Sequence, residues 1–186
     1  MVASRIKRIA NAKVAGRARR VPPGLATLTT ERALDRVDLR ILRVLQADGR
    51  ISNQKLADTV HLSPTAVLER VRRLTRDGYI LGYRAVLNPE LLGASMVVYV
   101  EVVLDRTTPD VFEAFKAAVR DRPEIMECQM VAGGFDYLIK TRVANMQAYR
   151  DLLGSVLLAL PGVRETHTYA VMEEVKNSQD IHLTGL

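Results

Sequence analysis

The apolar positions change period along the chain. From Leu34 to Leu74 they recur every three or four residues: Val37, Ile41, Val44 and Leu45, then Leu56, Ala57 and Val60, then Val67, Val71 and Leu74. That period belongs to amphipathic helices. Each run starts after a residue suited to cap a helix N-terminus (Asp35, Ser52, Ser63), whose side-chain oxygen can accept from an unpaired first-turn N–H. Pro64 follows at the first helical position, where a missing N–H costs nothing. Asp48-Gly49 ends the first helix, and Gly78 ends the third as its C′ residue. Two short helices joined by about four residues, the second opening Ser63-Pro64-Thr65, predict a helix-turn-helix over about 53–72. After Gly78, the stretches 79–81 and 83–87 flank Gly82 as two short strands, a small wing.

Past Asn88-Pro89 the pattern becomes strand-like. Ser95–Asp105 is rich in β-branched residues, and Thr108-Pro109 opens a helix carrying Phe112, Phe115 and Val119. Two strands, Ile125–Ala132 and Tyr137–Val143, are joined through Gly133-Gly134-Phe135-Asp136. Asn145 caps a helix running to Leu160, Pro161-Gly162 ends it, and Val163–Val175 is a last long strand. The order βαββαβ predicts a ferredoxin-like unit, two helices on one face of an antiparallel sheet. The first strand is apolar on both sides apart from Glu101. The uncovered face is therefore expected to expose a broad apolar patch and to pack against a second copy, giving a homodimer.

The fold class is thus α+β, in two domains. The divisions are a basic disordered tail (1–33), a winged helix-turn-helix domain (34–88), a linker (89–94), a ferredoxin-like domain (95–176) and a C-terminal tail (177–186). Charge separates the two halves. Residues 1–33 carry eight Lys/Arg and one acid (+7), residues 34–88 ten and six (+4), and residues 89–186 nine and fourteen (−5). Positive charge on the first half suits phosphate backbones. The tail itself reads either as a nonspecific DNA-binding arm, or as solvated chain ahead of a later true start. Its Arg-rich, acid-poor composition also resembles a transit peptide, which the rest of the chain argues against. A lone Cys128 excludes an intrachain disulfide framework, and no apolar run approaches the roughly 18 residues of a membrane span. A soluble protein in a reducing cytoplasm is expected.

In the third helix, Arg70, Arg72, Arg73 and Arg76 fall within seven residues of one another, just after the Ser-Pro start. Part of that charge is offset by Asp77 and by Glu69, which is spaced to pair with Arg73. The density favours contact with double-stranded DNA. Ser52, Asn53, Ser63, Pro64, Thr65, Ala66 and Glu69 join the arginines as candidate DNA-binding residues, with Thr65, Ala66 and Glu69 placed for base edges. No catalytic constellation, metal spacing or cofactor motif is present, and the three histidines pair with no nucleophile or acid in a recognisable pattern. The chain is expected to be no enzyme. The loop Gly133–Asp136 could approach a ligand closely, but by its residues alone an ordinary hairpin loop is favoured.

Several segments together resemble the leucine-responsive regulatory protein family (Lrp/AsnC, feast/famine regulators). They are Leu34–Asp38, Asp48–Asn53, Leu62–Thr65, Glu69–Leu74, Gly78–Ile80, Gly133–Tyr137, Leu160–Val163 and Thr168–Lys176. The resemblance spans about Ala33 to Lys176. It implies a winged helix-turn-helix followed by a RAM/ACT-like amino-acid-sensing domain. It also implies dimers that can assemble to octamers, and activation or repression of amino-acid metabolism genes in a bacterial, nucleoid-associated setting. The implied effector-binding region, between subunits, is Met130, Gly133, Gly134, Asp136, Met146, Tyr169, Ala170 and Val171, with leucine or proline as effector. Gly134 departs from the family in standing where an acid is common, and the N-terminal tail is longer than usual. The alternatives are an architectural nucleoid protein with little effector response and, less in keeping with the residues, an enzyme carrying a regulatory ferredoxin-like domain.

Overall fold

A computed structural model describes residues 34–184. The expected N-terminal tail lies outside the described residues. Three helices open the described chain: α1 (Arg36–Ala47), α2 (Asn53–Val60) and α3 (Pro64–Arg76). A capping box starts α1, where the Asp38 N–H donates to Asp35 Oδ1 at 2.8 Å and the Asp35 N–H to Asp38 Oδ2 at 3.2 Å. Ser52 and Ser63 cap α2 and α3 by accepting from the Lys55 and Ala66 N–H groups. Between α2 and α3, His61 takes a left-handed conformation (φ 57°) that reverses the chain. The apolar faces of the three helices close on one another through buried Ile41, Leu56, Ala57, Val60, Val67, Leu74 and Ile80. Each such aliphatic side chain stabilises the fold by roughly 1.5–3 kcal/mol when fully buried.

The second core lies under a four-stranded antiparallel sheet: β1 (Met96–Leu104), β2 (Ile125–Met130), β3 (Tyr137–Val143) and β4 (Val163–Ala170), in the order β2-β3-β1-β4. Alternate residues of β1 (Val98, Val100, Val102, Leu104) point to the helix side and are buried. There they meet Val111 and Phe115 of α4 (Pro109–Arg120) and Tyr149 and Leu152 of α5 (Met146–Leu152). A π-helical turn, Leu153–Leu157, continues α5 and buries Val156 and Leu157. Gly162 turns the chain into β4 at φ +74°, and a Cβ there would stand 2.6 Å from Val111 Cγ1.

Three expectations are corrected. The two short strands around Gly82 do not pair, so no wing hairpin forms within the chain; residues 81–88 are exposed and without helix or ladder. Ladder hydrogen bonds need a neighbour, and none is offered there. The last strand stops at Ala170 rather than Val175: after one further bond, from the Val171 N–H to the Val97 carbonyl, the chain leaves β1 and Glu174 is held by Arg142 of β3. The open face of the sheet is not a uniform apolar patch. Lys140 bridges Glu127 at 3.0 Å and lies 5.9 Å from the Tyr99 ring centroid, while Arg142 holds Glu174. Alternation puts these charges outward because the inward positions are taken by the core.

Candidate nucleic-acid interface and effector region

Helix α3 displays a divided set of arginines. Arg72 and Arg76 are 66% and 75% exposed, with only surface partners: Glu69 at 3.1 Å and Asp77 at 3.0 Å. Ser52, Asn53, Ser63, Pro64, Thr65 and Glu69 are exposed as well, and Ala66 is half-buried. All but Glu69, which lies one turn further along α3, stand at the starts of α2 and α3. A helix start offers unpaired N–H groups and positive dipole to phosphates, so these exposed residues are chemically suited to a duplex.

Arg70 and Arg73, also expected among the DNA-binding residues, are instead engaged within the domain. Arg70 Nη1 reaches Asp35 Oδ2 at 2.7 Å and Asp38 Oδ1 at 2.8 Å, and Arg73 Nη2 reaches the same Asp38 oxygen at 2.6 Å. The Asp38 side chain is 1% exposed, and a buried carboxylate requires charged partners. Burial by itself would raise the Asp38 pKa, but hydrogen bonds from Arg73 and Arg70 outweigh it and hold the carboxyl below its usual range. The expected Glu69–Arg73 pair is therefore replaced by Glu69–Arg72. The network fixes the start of α1 to the middle of α3, and so sets the angle at which α3 is presented. Asp38 is thus a positioning residue absent from the candidates that the sequence offers. The sequence marks it only as an acid three residues before Ile41, on the side of α1 that the apolar stripe buries.

In the second domain, Gly133, Gly134 and Asp136 border an open cleft of about 310 Å³ together with Asp105, Arg106 and Arg164. Asp136 ties the hairpin loop to β1. Its Oδ2 accepts from the Leu104 N–H at 2.8 Å, beside an irregularity in the β1–β4 pairing, and its own N–H donates to the Val102 carbonyl. Arg106 and Arg164 are 72% and 59% exposed, and their nearest carboxylates, Asp105 and Glu165, stand 3.9 Å away. Nothing in the sequence order ties these two arginines to the loop; only the sheet brings them to it.

Four of the other expected effector residues lie at the opposite end of the sheet. Tyr169 pairs with Tyr99, Ala170 with Val98, and the Val171 N–H donates to the Val97 carbonyl at 3.0 Å. Met146 follows β3 at that same end of the sheet, and Met130 pairs with Tyr137 at the loop end. Val98 and Leu104 are six residues apart on β1, or roughly 20 Å at about 3.3 Å per residue. One chain therefore holds two separated groups: Met130, Gly133, Gly134 and Asp136 at one end, Met146, Tyr169, Ala170 and Val171 at the other.

Comparison with known proteins agrees with both halves. Residues 34–80 match the model of a winged helix-turn-helix DNA-binding domain, and residues 97–181 that of the Lrp/AsnC ligand binding domain. The chain is 62% identical over 145 residues to the leucine-responsive regulatory protein of Salmonella typhimurium, covering 78% of this chain and 88% of that protein. The chain belongs to the Lrp/AsnC family. The leucine-responsive regulatory protein of Escherichia coli K12 is 61% identical over the same coverage. Among solved Lrp/AsnC structures, a Neisseria meningitidis transcriptional regulator in complex with L-methionine superposes with a TM-score of 0.76 at 33% identity, covering 80% of this chain and 96% of that one. The leucine response regulatory protein of Mycobacterium tuberculosis gives 0.68 at 32% identity, covering 80% and 99%. This Lrp/AsnC chain is accordingly a DNA-binding transcriptional regulator with an amino-acid-binding domain, and not an enzyme. Among the described residues no helix is long and apolar enough to cross a membrane.

Proposed function

We propose that the protein is a leucine-responsive regulator of amino-acid metabolism genes, acting as a homodimer or a higher assembly of dimers on the bacterial nucleoid. The observation that carries this reading is the separation of the two effector groups along β1. A single chain cannot close both around one small amino acid, so a complete site would need a second copy, whose Tyr169–Val171 would meet the Gly133–Asp136 loop of the first across a two-fold axis. Asp136 would then accept from the amino acid's ammonium group, and Arg106 and Arg164 would meet its carboxylate. Leucine is supported as the effector by the names of relatives 61–62% identical to this chain.

The dimer is further supported by exposed apolar side chains in the unpaired segment after α3: Leu81, Tyr83, Val86 and Leu87. Paired α3 helices would enter successive major grooves, where Thr65 and Ala66 face base edges while Arg72 and Arg76 hold phosphates. Leucine would change operator affinity only in so far as it binds two arrangements of the subunits unequally.

Calorimetry with L-leucine, L-proline and L-methionine, alongside light scattering, tests the reading. A dimer or larger species with leucine bound most tightly is expected, and a monomer, or a preference for proline, overturns the assignment. Asp136→Asn is the informative variant, because it keeps an acceptor for the Leu104 N–H while removing the charge. It should abolish the leucine response and retain operator binding.

A further inference from the structure

The chain does not end on the sheet it leaves after Ala170. Four residues on, Glu174 is held by Arg142 of β3, whose Nη2 donates to its two carboxylate oxygens at 2.6 and 2.7 Å. The Arg142 side chain is only 9% exposed, so this anchor is firm. From there the segment returns to the DNA-binding domain. Gln46, near the end of α1, grips the Ile181 backbone with both ends of its amide: Nε2 donates to the Ile181 carbonyl at 3.0 Å, and the Ile181 N–H donates to Oε1 at 2.9 Å. One turn earlier, Arg43 Nη2 donates to the Leu183 carbonyl at 3.1 Å. Ile181 and Leu183 border a cleft of about 320 Å³ with Leu42, Leu45, Tyr79 and Tyr83.

Two points make this contact informative. A glutamine amide that both donates to and accepts from one residue satisfies its peptide groups as a neighbouring strand would, so it recognises backbone held in one position rather than a side chain. Arg43 and Gln46 are three residues apart and share one exposed side of α1. That side is distinct from the Asp38–Arg73 contact, and the neighbouring Leu42 and Leu45, which pack on the core from α1, form the floor of the groove.

We propose that the C-terminal segment 177–184 is a strap that docks on α1 and carries the state of the effector region to the DNA-binding domain. The proposal rests on the effector reading above. The route is short: Tyr169, Ala170 and Val171 precede Glu174 by three to five residues, and Glu174 precedes the Gln46 contact by seven. A ligand that displaces Val171 from its bond to the Val97 carbonyl moves the anchor, and with it the strap. The grip on α1 is weak enough to open, since its three hydrogen bonds are exposed and Ile181 is itself 70% exposed. With the strap docked, the helix-turn-helix is held by two segments, the strap and the 89–94 linker; with it released, by the linker alone. Ligand binding that favours one of these states changes how α3 is presented.

Two full-length variants test it. Gln46→Ala removes the amide grip at an exposed helical site where alanine is well tolerated. Ile181→Pro removes the donor from the strap itself without touching either core. Hydrogen exchange reads the docking, and gel shifts on the promoter of the protein's own gene, with and without L-leucine, read the coupling. The Ile181 amide should exchange at least about tenfold more slowly in the wild type than in Gln46→Ala. In both variants leucine affinity by calorimetry should be unchanged, while the leucine-induced change in DNA affinity falls at least about threefold. Exchange at the free-peptide rate in the wild type overturns the docking, and a wild-type-sized leucine response in both variants overturns the coupling. A wild type with no leucine response defeats the coupling together with the effector reading, and exchange at Ile181 then still decides the docking.

Discussion

Asp38 of α1 and Arg73 of α3 meet at 2.6 Å around a carboxylate that is 1% exposed. Arg70 contacts the same oxygen, so two cations that sequence spacing assigns to the nucleic acid instead hold two helices together. Removing the acid leaves both guanidinium groups without their buried partner. Asp38→Ala should destabilise the DNA-binding domain by about 3 kcal/mol, at the low end for a broken buried pair because the arginines are still partly solvated. Urea denaturation measures this, and an unchanged midpoint would show the network to be incidental.

The same contact sets an acid limit. Because Asp35 and Asp38 are both held below the usual carboxylate range, their contribution is fully present above about pH 4 and is lost as pH falls through the depressed folded-state values. Wild-type stability should therefore drop on acidification below about pH 4. Asp38→Ala should show a shallower loss across the same window.

Arg72 and Arg76 make the opposite case. Each is mostly exposed, so Arg72→Ala and Arg76→Ala should leave the urea midpoint nearly unchanged. Each should weaken binding to all DNA sequences and reduce the salt slope of log K by about 0.9, the share of one phosphate contact. Arg73→Ala should lose stability before it loses affinity. If the salt slope falls equally for Arg72 and Arg73, the division of labour on α3 is wrong.

Tyr137 carries a buried hydroxyl with no hydrogen-bond partner among the described residues. Its ring packs against Phe115, centroids 4.4 Å apart, and meets Phe112 edge-on at 6.2 Å. Tyr137→Phe keeps those contacts and removes the unsatisfied group, so it should stabilise the sensing domain by about 1 kcal/mol. A lower melting temperature would reveal a partner for the hydroxyl in solution.

Burial pushes the Cys128 thiol up to about 11. At pH 8 the native thiolate is then scarce, of order one part in a thousand. Labelling with a disulfide reagent should be slow in buffer and fast in denaturant, which makes Cys128 a reporter of unfolding. Rapid native labelling would count against its packed position.

Much of this molecule is local enough to be written in the order of its residues. Ser63-Pro64 starts α3 and Gly78 ends it because caps need only their own neighbours, and the period of Val98, Val100 and Val102 assigns β1 as directly. The two-domain order and the family follow from such segments taken together. What could not be read locally depends on partners far along the chain. Whether Arg73 faces solvent or Asp38 is decided by how α1 crosses α3, and the unpaired stretch after Gly82 lacks strands because a ladder needs a second edge. The cleft at Gly133–Asp136 gains Arg164 only through strand order, and the same β1 that joins the two groups of expected effector residues keeps them about 20 Å apart. Periodicity and capping chemistry determined which elements exist. Burial of one carboxylate and the pairing order of four strands decided which side chains are left to bind anything, since desolvation and register are properties of the packed whole.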